Sequence, residues 1–418
     1  MQQAMASSKI SIAVIGTFDT KLEEYLYLRS QVLENDPSVN VVLVDAGRTA
    51  TEHRHITIPQ ADVLKASGYG AGIDSLSRAQ VIDVMISGAK VVIRQLHNRG
   101  EIQAIIGLGG SCGTSIAAAV MQELPLNFPK LIVSTVASGD TSSYVAETDI
   151  TMMYSVVDIA GLNEVLRAVV DNAAAAIAGM ARAYAKRITK RMGMSDKRGV
   201  GITMFGVTTK GVEPARKYFE RKGEDVYVFH ATGAGGRAME RLVKEGRLWG
   251  VLDLTTTELA DELVGGVFSA GSSRLTAAAK AGVPQIVSVG ALDMVNFGPK
   301  DTVPEKFQGR KLFEHNPSVT LIRTTPQECE ALGRTIAQRL KENCTNPKAI
   351  EVWLPLRGIS AVSTEGQPFH DKVADEALFT AIKKGLQGSG INVVEVDADI
   401  NDAKWSEGLA TRLSELPR

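Results

Sequence analysis

Short runs rich in valine and isoleucine alternate with amphipathic stretches along most of the chain, and this alternation limits the possible folds more than any other feature. In the first part the runs are KISIAVIG (9–16), VNVVLVDAG (39–47), EIQAIIGLGG (101–110) and KLIVST (130–135). GVGITMFG (199–206), DVYVFHATG (225–233), LWGVLDLT (248–255) and PQIVSVG (284–290) follow. A strand that is apolar on both faces must be covered on both, and helices between successive strands supply the cover. The pattern therefore predicts an α/β fold with mostly parallel, doubly wound sheets. Later runs at VTLIR (319–323), AIEVWLP (349–355) and INVVEVD (391–397) are expected to extend the second sheet.

The rhythm breaks between Ala183 and Val200, where Lys186, Arg187, Lys190, Arg191, Lys197 and Arg198 cluster without a strand pattern. With 418 residues to divide, this predicts two Rossmann-like subdomains, residues 1–190 and 199–418. No aromatic residues interleave the basic ones, so a solvated helix end and linker is favoured over an RNA patch. Both halves open alike, a strand leading to Gly16, Thr20 and Lys21 in one and to Gly206, Thr209 and Lys210 in the other, which suggests an ancient duplication. The segment from Arg48 to Asp74 is long for a connection and reads as a flap or an interface.

With 46 basic and 47 acidic side chains, the net charge of -1 gives no overall field for nucleic acid or an anionic membrane. The Ala-rich stretch from Ala173 to Ala185 is too short to span a bilayer. The opening MQQAMASSK lacks the basic start and apolar core of a secretory signal, so a cytoplasmic location is expected. Cys112, Cys329 and Cys344 are far apart and have no CxxC spacing, which predicts reduced thiols rather than disulfides or a zinc site.

Ligands of open parallel sheets sit beyond the carboxyl ends of the strands, where helix starts attract anions. In GTFDTK, Gly16 allows a tight turn, Thr17 and Thr20 offer hydroxyls, Asp19 suits a metal and Lys21 a phosphate; alternatively, Thr20 and Glu23 form a capping box. GLGGSCGTS (107–115) offers Gly109, Gly110 and Gly113 with Ser111, Thr114 and Ser115 as a phosphate cradle. The same residues fit the nucleophile elbow of a serine hydrolase, with His230 or His370 completing a triad, or a structural glycine turn. Cys112 is either an activated thiolate or a small buried thiol. The loop Ser134 to Tyr144, with its hydroxyls and Asp140, either completes a nucleotide or sugar site or is a polar surface loop.

In the second half, Gly233, Gly235, Gly236 and Arg237 open a helix after a strand, and Asp253 follows 20 positions beyond Gly233, as in a dinucleotide-binding fingerprint. His230 ends a strand, suited to acid–base work or to a structural hydrogen bond. Thr255, Thr256 and Thr257 read as a helix cap, Glu258 as a metal ligand or base, and Arg274 as a clamp on a carboxylate or phosphate. No G-x-x-x-x-G-K-[ST] string is present, which excludes the usual P-loop.

Taken in order, GTFDTK, GLGGSCGTS, STVASGD, DIAGLN (158–163), FHATGAGGRAME, LDLTTTEL, GALDMVNFG (290–298), HNPSVTLIRTT (315–325) and GQPFHD (366–371) resemble the uncharacterised proteins related to the ATP-binding N-terminal region of the tomato mosaic virus resistance protein. The resemblance implies two Rossmann-like subdomains, binding of ATP with Mg2+, and a homodimer or higher homo-oligomer. It points to Gly16, Thr17, Asp19, Lys21, Gly109, Gly110, Ser111, Gly113 and Thr114 as the nucleotide site. His230, Gly233, Gly235, Gly236, Arg237, Glu258 and Arg274 would form a separate or facing site. The plant member's antiviral action depends on a protein with an additional C-terminal barrel-like domain and is not expected to transfer. The leading expectation is a nucleotide-binding protein, with or without enzymatic action on a small anionic metabolite. The alternatives are a hydrolase or lyase using His230 and Glu258, an NAD(P)-dependent oxidoreductase at the Gly233 loop, and an interaction protein regulated by ATP.

Overall fold

The structure is a computed structural model that describes residues 9–70, 73–191 and 198–417. The start MQQAMASS and Lys197 lie outside the described residues. The chain divides into two compact units, Met1–Ser195 and Asp196–Arg418.

Unit 1 contains strands β1 (Ser11–Gly16), β2 (Asn40–Asp45), β3 (Ile56–Ile58), β4 (Ala104–Gly109), β5 (Lys130–Ser134) and β6 (Thr151–Tyr154). All pair in parallel, in the order β3-β2-β1-β4-β5-β6. The helices are α1 (Phe18–Asn35), α2 (Gln60–Ala66), α3 (Arg78–Asn98), α4 (Ser111–Met121), α5 (Ser142–Val145) and α6 (Glu164–Arg191). The pleat explains why the apolar runs are continuous. In β1, Ile12 and Val14 pack on one face with Leu28 of α1 and Val170 of α6, while Ala13 and Ile15 pack on the other with Met85 of α3 and Ala117 of α4. Side chains of a strand point alternately to opposite faces, so both sets must be apolar. Lys186, Arg187 and Lys190 are exposed at the end of α6. The segment 48–74 holds β3 and α2.

Unit 2 contains β7 (Gly199–Met204), β8 (Val226–His230), β9 (Leu248–Thr255), β10 (Gln285–Gly290), β11 (Met294–Phe297), β12 (Leu312–Asn316), β13 (Val319–Arg323), β14 (Ile350–Pro355) and β15 (Asn392–Val396). Its helices are α7 (Thr209–Arg221), α8 (Ala234–Lys244), α9 (Glu258–Val264), α10 (Ala277–Ala281), α11 (Pro326–Asn343), α12 (Lys372–Leu386) and α13 (Ala403–Glu415). Six strands form a second parallel sheet, ordered β15-β14-β10-β9-β7-β8.

One expectation is corrected here. VTLIR does not extend that sheet: as β13 it is the middle strand of a separate antiparallel sheet, β11-β13-β12. An apolar run alone does not specify its partners. The two parallel sheets share an order: apart from the three-residue edge strand β3, the run β2-β1-β4-β5-β6 of unit 1 corresponds to β8-β7-β9-β10-β14 of unit 2. The likeness of the two openings thus continues into the order of the sheets, in keeping with an ancient duplication.

Close helix packing in unit 1 depends on Gly88 of α3, where a Cβ would lie 1.9 Å from the Val63 carbonyl oxygen in α2. Backbone cannot yield as a flexible side chain does, so Gly88→Ala should separate α2 from α3 and cost about 1–3 kcal/mol. Urea titration measures this; native stability in the variant would contradict the packing.

Candidate functional site

In an open α/β sheet the connections diverge where the strand order reverses, leaving a crevice at the carboxyl ends of the strands. In unit 1 this switch point lies between β1 and β4, and a cavity of about 500 Å³ occupies it. Thr17, Asp19 and Lys21 after β1, Arg48 after β2, Arg78 of α3 and the Gly110–Gly113 turn after β4 all line it. The 11-residue helix α4 starts there with Gly110 as N-cap and no side chain accepting from its first turn. Those amides and the positive end of the helix dipole are thus available to an anion. Arg78 Nη2 lies 3.3 Å from Cys112 Sγ.

The carboxylates in this site have distinct tasks. Asp19 Oδ2 accepts from the amides of Arg48 and Thr49 at 3.0 and 3.1 Å, while its Oδ1 is buried without a partner. Asp45, wholly buried at the end of β2, accepts from the amides of Phe18 and Gly47 at 3.3 and 2.9 Å. Burial pushes its pKa up, and the Asp19 charge adds to the rise. Among the described residues no group of three or more His, Cys, Asp or Glu is placed to hold a metal. Any Mg2+ here would therefore take most of its ligands from phosphate and water, with Asp19 as the carboxylate on hand.

Several first-half residues singled out by sequence do structural work. Gly16 leaves room for the Tyr25 ring, whose hydroxyl a Cβ would overlap at 1.8 Å. Gly109 permits the close approach of Gly113, whose Cα would lie 2.8 Å from a Cβ. Thr114 is buried and pairs with Ser134 Oγ at 2.6 Å, so its hydroxyl does not face a ligand. Thr20 and Glu23 do not form the expected box: α1 begins at Phe18, and the Thr20 hydroxyl donates to the Thr17 carbonyl at 3.2 Å. Lys21 donates one hydrogen bond to the Ile159 carbonyl and still borders the cavity. No histidine lines this cavity, which removes the base a serine hydrolase would need at Ser111. Sequence reasoning passed over Asp45, Arg48 and Arg78; the available signal was an acid ending an otherwise apolar strand, VVLVD, two residues before Gly47-Arg48.

The Gly233 loop proves to be occupied by the chain itself. Glu258 Oε1 accepts from the amides of Gly233 at 2.8 Å and Gly236 at 3.0 Å, the place a phosphate would take at the start of α8. Its Oε2 accepts from Arg274 Nε at 2.6 Å. Arg274, 1% exposed, donates both Nη atoms to Asp253 at 2.5 Å and lies 3.5 Å from Glu240. Burial alone would lower the guanidinium pKa; Asp253 and Glu258 hold it well above the usual value. The glycines follow from this packing. Gly233 has φ +84°, a Cβ on Gly235 would meet the His230 carbonyl at 1.9 Å, and one on Gly236 would meet Glu258 Oε2 at 2.1 Å.

The dinucleotide reading is therefore corrected, because Asp253 is spent on Arg274 and Thr203 and has no oxygen free for a ribose. Arg274 clamps the protein's own carboxylates, not a ligand's, and Arg237 donates to the Ser269 carbonyl at 3.0 Å. Glu258 is fully buried and fully bonded, so it cannot serve as a base. His230 stays exposed at the end of edge strand β8, its ring stacked on Phe205 at 5.4 Å. The threonines do not cap α9: the Thr255 hydroxyl pairs with Thr208 at 2.7 Å, that of Thr256 donates to the Ser288 carbonyl at 2.9 Å, and Thr257 makes no side-chain cap.

These features define a two-unit α/β protein with an open switch point in one unit and a self-filled one in the other. The chain belongs to an uncharacterised protein family, UPF0261: residues 10–186 match its N-terminal domain and 197–417 its C-terminal domain. A UPF0261 protein of Clostridium tetani is 43% identical over 96% of this chain and 98% of its own length. Another, from Rhizobium meliloti, is 44% identical over 95% and 96%. The ToMV resistance protein Tm-1 of Solanum lycopersicum is 38% identical over 98% of this chain, which spans 56% of the tomato protein. Among solved structures, a co-structure of S. aureus MnaA with UDP covers 91% of this chain and 97% of its own at 10% identity and a TM-score of 0.22, too distant a likeness to bear on function. Among the described residues, no helix is long and apolar enough to cross a membrane.

Removing one partner of a buried ion cluster leaves the others uncompensated, so Arg274→Leu should destabilise the protein by about 3–5 kcal/mol, read from denaturant unfolding; a near-neutral change would contradict the network. Asp261 gives a signed pH test. It accepts from the amides of Asn296 and Phe268, each at 2.8 Å, and burial pushes its pKa from 3.8 up to about 7. Between those values the native state holds a proton that the unfolded chain has lost, so this group's contribution falls as pH rises and levels off above 7. The stability of Asp261→Asn relative to wild type should rise from pH 4 to 7, by at most about 1.4 kcal/mol per pH unit. A pH-independent difference would remove the assignment.

Proposed function

We propose that unit 1 binds a nucleotide, ATP with Mg2+, in the cavity between β1 and β4. The observation that carries this reading is the uncapped start of α4 facing a cavity bordered by Lys21, Arg48 and Arg78. Amides at a helix start together with three cations suit a polyphosphate, and the volume lies within the range of small-molecule sites. The family resemblance points to the same loops. The unpartnered Oδ1 of Asp19 suits a cation that arrives with the phosphates. Ser111 and the amides of the Gly110 turn would hold phosphate oxygens, and the Arg78–Cys112 pair would close the wall next to them. Binding and orientation are all that these residues supply without a histidine; a reacting group would have to come with a second, small anionic metabolite.

Calorimetric titration with ATP, with and without Mg2+, tests the reading. A Cβ at Gly110 would have only Thr135 Oγ1 nearby, at 3.7 Å, so Gly110→Val keeps the fold while adding bulk at the turn, and should abolish binding. Lys21→Ala should weaken binding roughly tenfold, the worth of one charge-assisted hydrogen bond. Native affinity in both variants would place the nucleotide elsewhere or nowhere.

A further inference from the structure

In unit 2, the carboxyl ends of β14 and β15 open onto a cavity of about 620 Å³ that none of the loops above reach. His370, from the string GQPFHD, lines it. Its Nδ1 lies 3.0 Å from the Ser363 carbonyl. A carbonyl only accepts, so Nδ1 carries the hydrogen and the neutral ring keeps Nε2 as a base.

Arg323 draws an acid to the same place. Its Nε donates to the Phe369 carbonyl at 2.8 Å, and its Nη2 donates to the Asp371 carbonyl at 3.4 Å and to Asp375 Oδ1 at 2.7 Å. One guanidinium thus ties the backbone on both sides of His370 to the carboxyl of Asp375. Asp293 backs the cluster: it is wholly buried, accepts from Ser360 Oγ at 2.7 Å, and has an Oδ1 without a partner. Two carboxyls against one guanidinium leave a surplus buried negative charge, and binding a proton is the least costly remedy. Burial, opposed by Arg323, raises both acids, Asp375 to about 6. Of the two, Asp375 is the one that lines the cavity.

The walls select a ligand class. Asp375 aside, Arg357 and Lys372 are outnumbered by Glu365, Glu376 and Asp399, a balance that disfavours phosphates and suits hydroxyl groups, which donate to carboxylates. Leu356 and Phe379 give apolar surface for the C–H face of a sugar.

We propose that this cavity is a proton-transfer site for a small neutral hydroxy-carbonyl compound, such as a triose or free sugar, with His370 as the catalytic base and Asp375 as the catalytic acid. His370 Nε2 takes the proton from the carbon beside the carbonyl. The C–H electron pair becomes the C=C bond of an enediol, and the carbonyl π pair takes the proton of Asp375. His370 then returns a proton to either carbon while the enediol hydroxyl on the other carbon gives its proton back to Asp375 as the carbonyl reforms, which completes exchange or isomerisation with no oxidant or reductant consumed. Arg323 is a positioning residue, since it acts through the other two.

The test is proton NMR of the full chain in D2O with dihydroxyacetone and D-glyceraldehyde as probes. The expected result is deuterium entering the carbon-bound positions faster than in buffer, with the rate falling about 100-fold in His370→Gln and in Asp375→Asn. Glutamine can still donate to the Ser363 carbonyl, so His370→Gln carries the test even where Asp375→Asn loosens Arg323 and fails to fold. No exchange above the buffer rate with either probe, or exchange that survives His370→Gln, overturns the proposal. Unit 1 nucleotide binding is a separate measurement, and neither result decides the other.

Discussion

A guanidinium with 1% of its surface exposed is affordable only when every direction it can donate in is answered, and the centre of unit 2 is built around that requirement. Arg274 reaches β9 through Asp253, the start of α9 through Glu258, and α8 through Glu240. Glu240 in turn accepts from the amides of Leu275 and Ala277 at 2.6 and 2.7 Å, which returns the strain-prone turn before α10 to α8. One side chain thus sets how three helices and a central strand meet, and the apolar packing around it follows.

The same requirement separates the two units in how their helix starts are satisfied. A doubly wound sheet always leaves space at its switch point, and the two units treat that space differently. In unit 1 the helix start after β4 carries no side-chain cap and faces basic residues, so its unsatisfied amides turn outward to solutes. In unit 2 the ends of β7 and β9 are joined by Thr203, Asp253 and Arg274, and the neighbouring helix start holds Glu258. The opening in unit 2 lies instead at the far side of the sheet, beyond β14 and β15.

Much of this was legible in sequence. Continuous apolar runs separated by amphipathic segments predict parallel sheets covered on both faces, and ten of the expected strands lie in the two six-stranded sheets. The short edge strands β3 and β6 were not legible, because at three and four residues they carry too little periodicity. The antiparallel insertion was missed because pairing direction is set by turns and partners, not by the composition of VTLIR. Glycine strings were the weakest guide. Gly16 and Gly236 are glycine for the same reason, that another side chain occupies the space of a Cβ, yet in sequence both look like phosphate turns. The acid after such a turn was ambiguous too: at position 253 it reads equally as a ribose ligand and as a partner for a buried arginine, and only the location of Arg274 decides.

Because Glu258 is covalently part of the chain, the anion at the start of α8 can never dissociate, and its effective concentration is set by tether geometry, not by the solution. That loop therefore holds one state whatever the phosphate level outside. It cannot report occupancy, and it gives unit 2 a fixed reference frame, whereas the start of α4 in unit 1 has no such built-in anion.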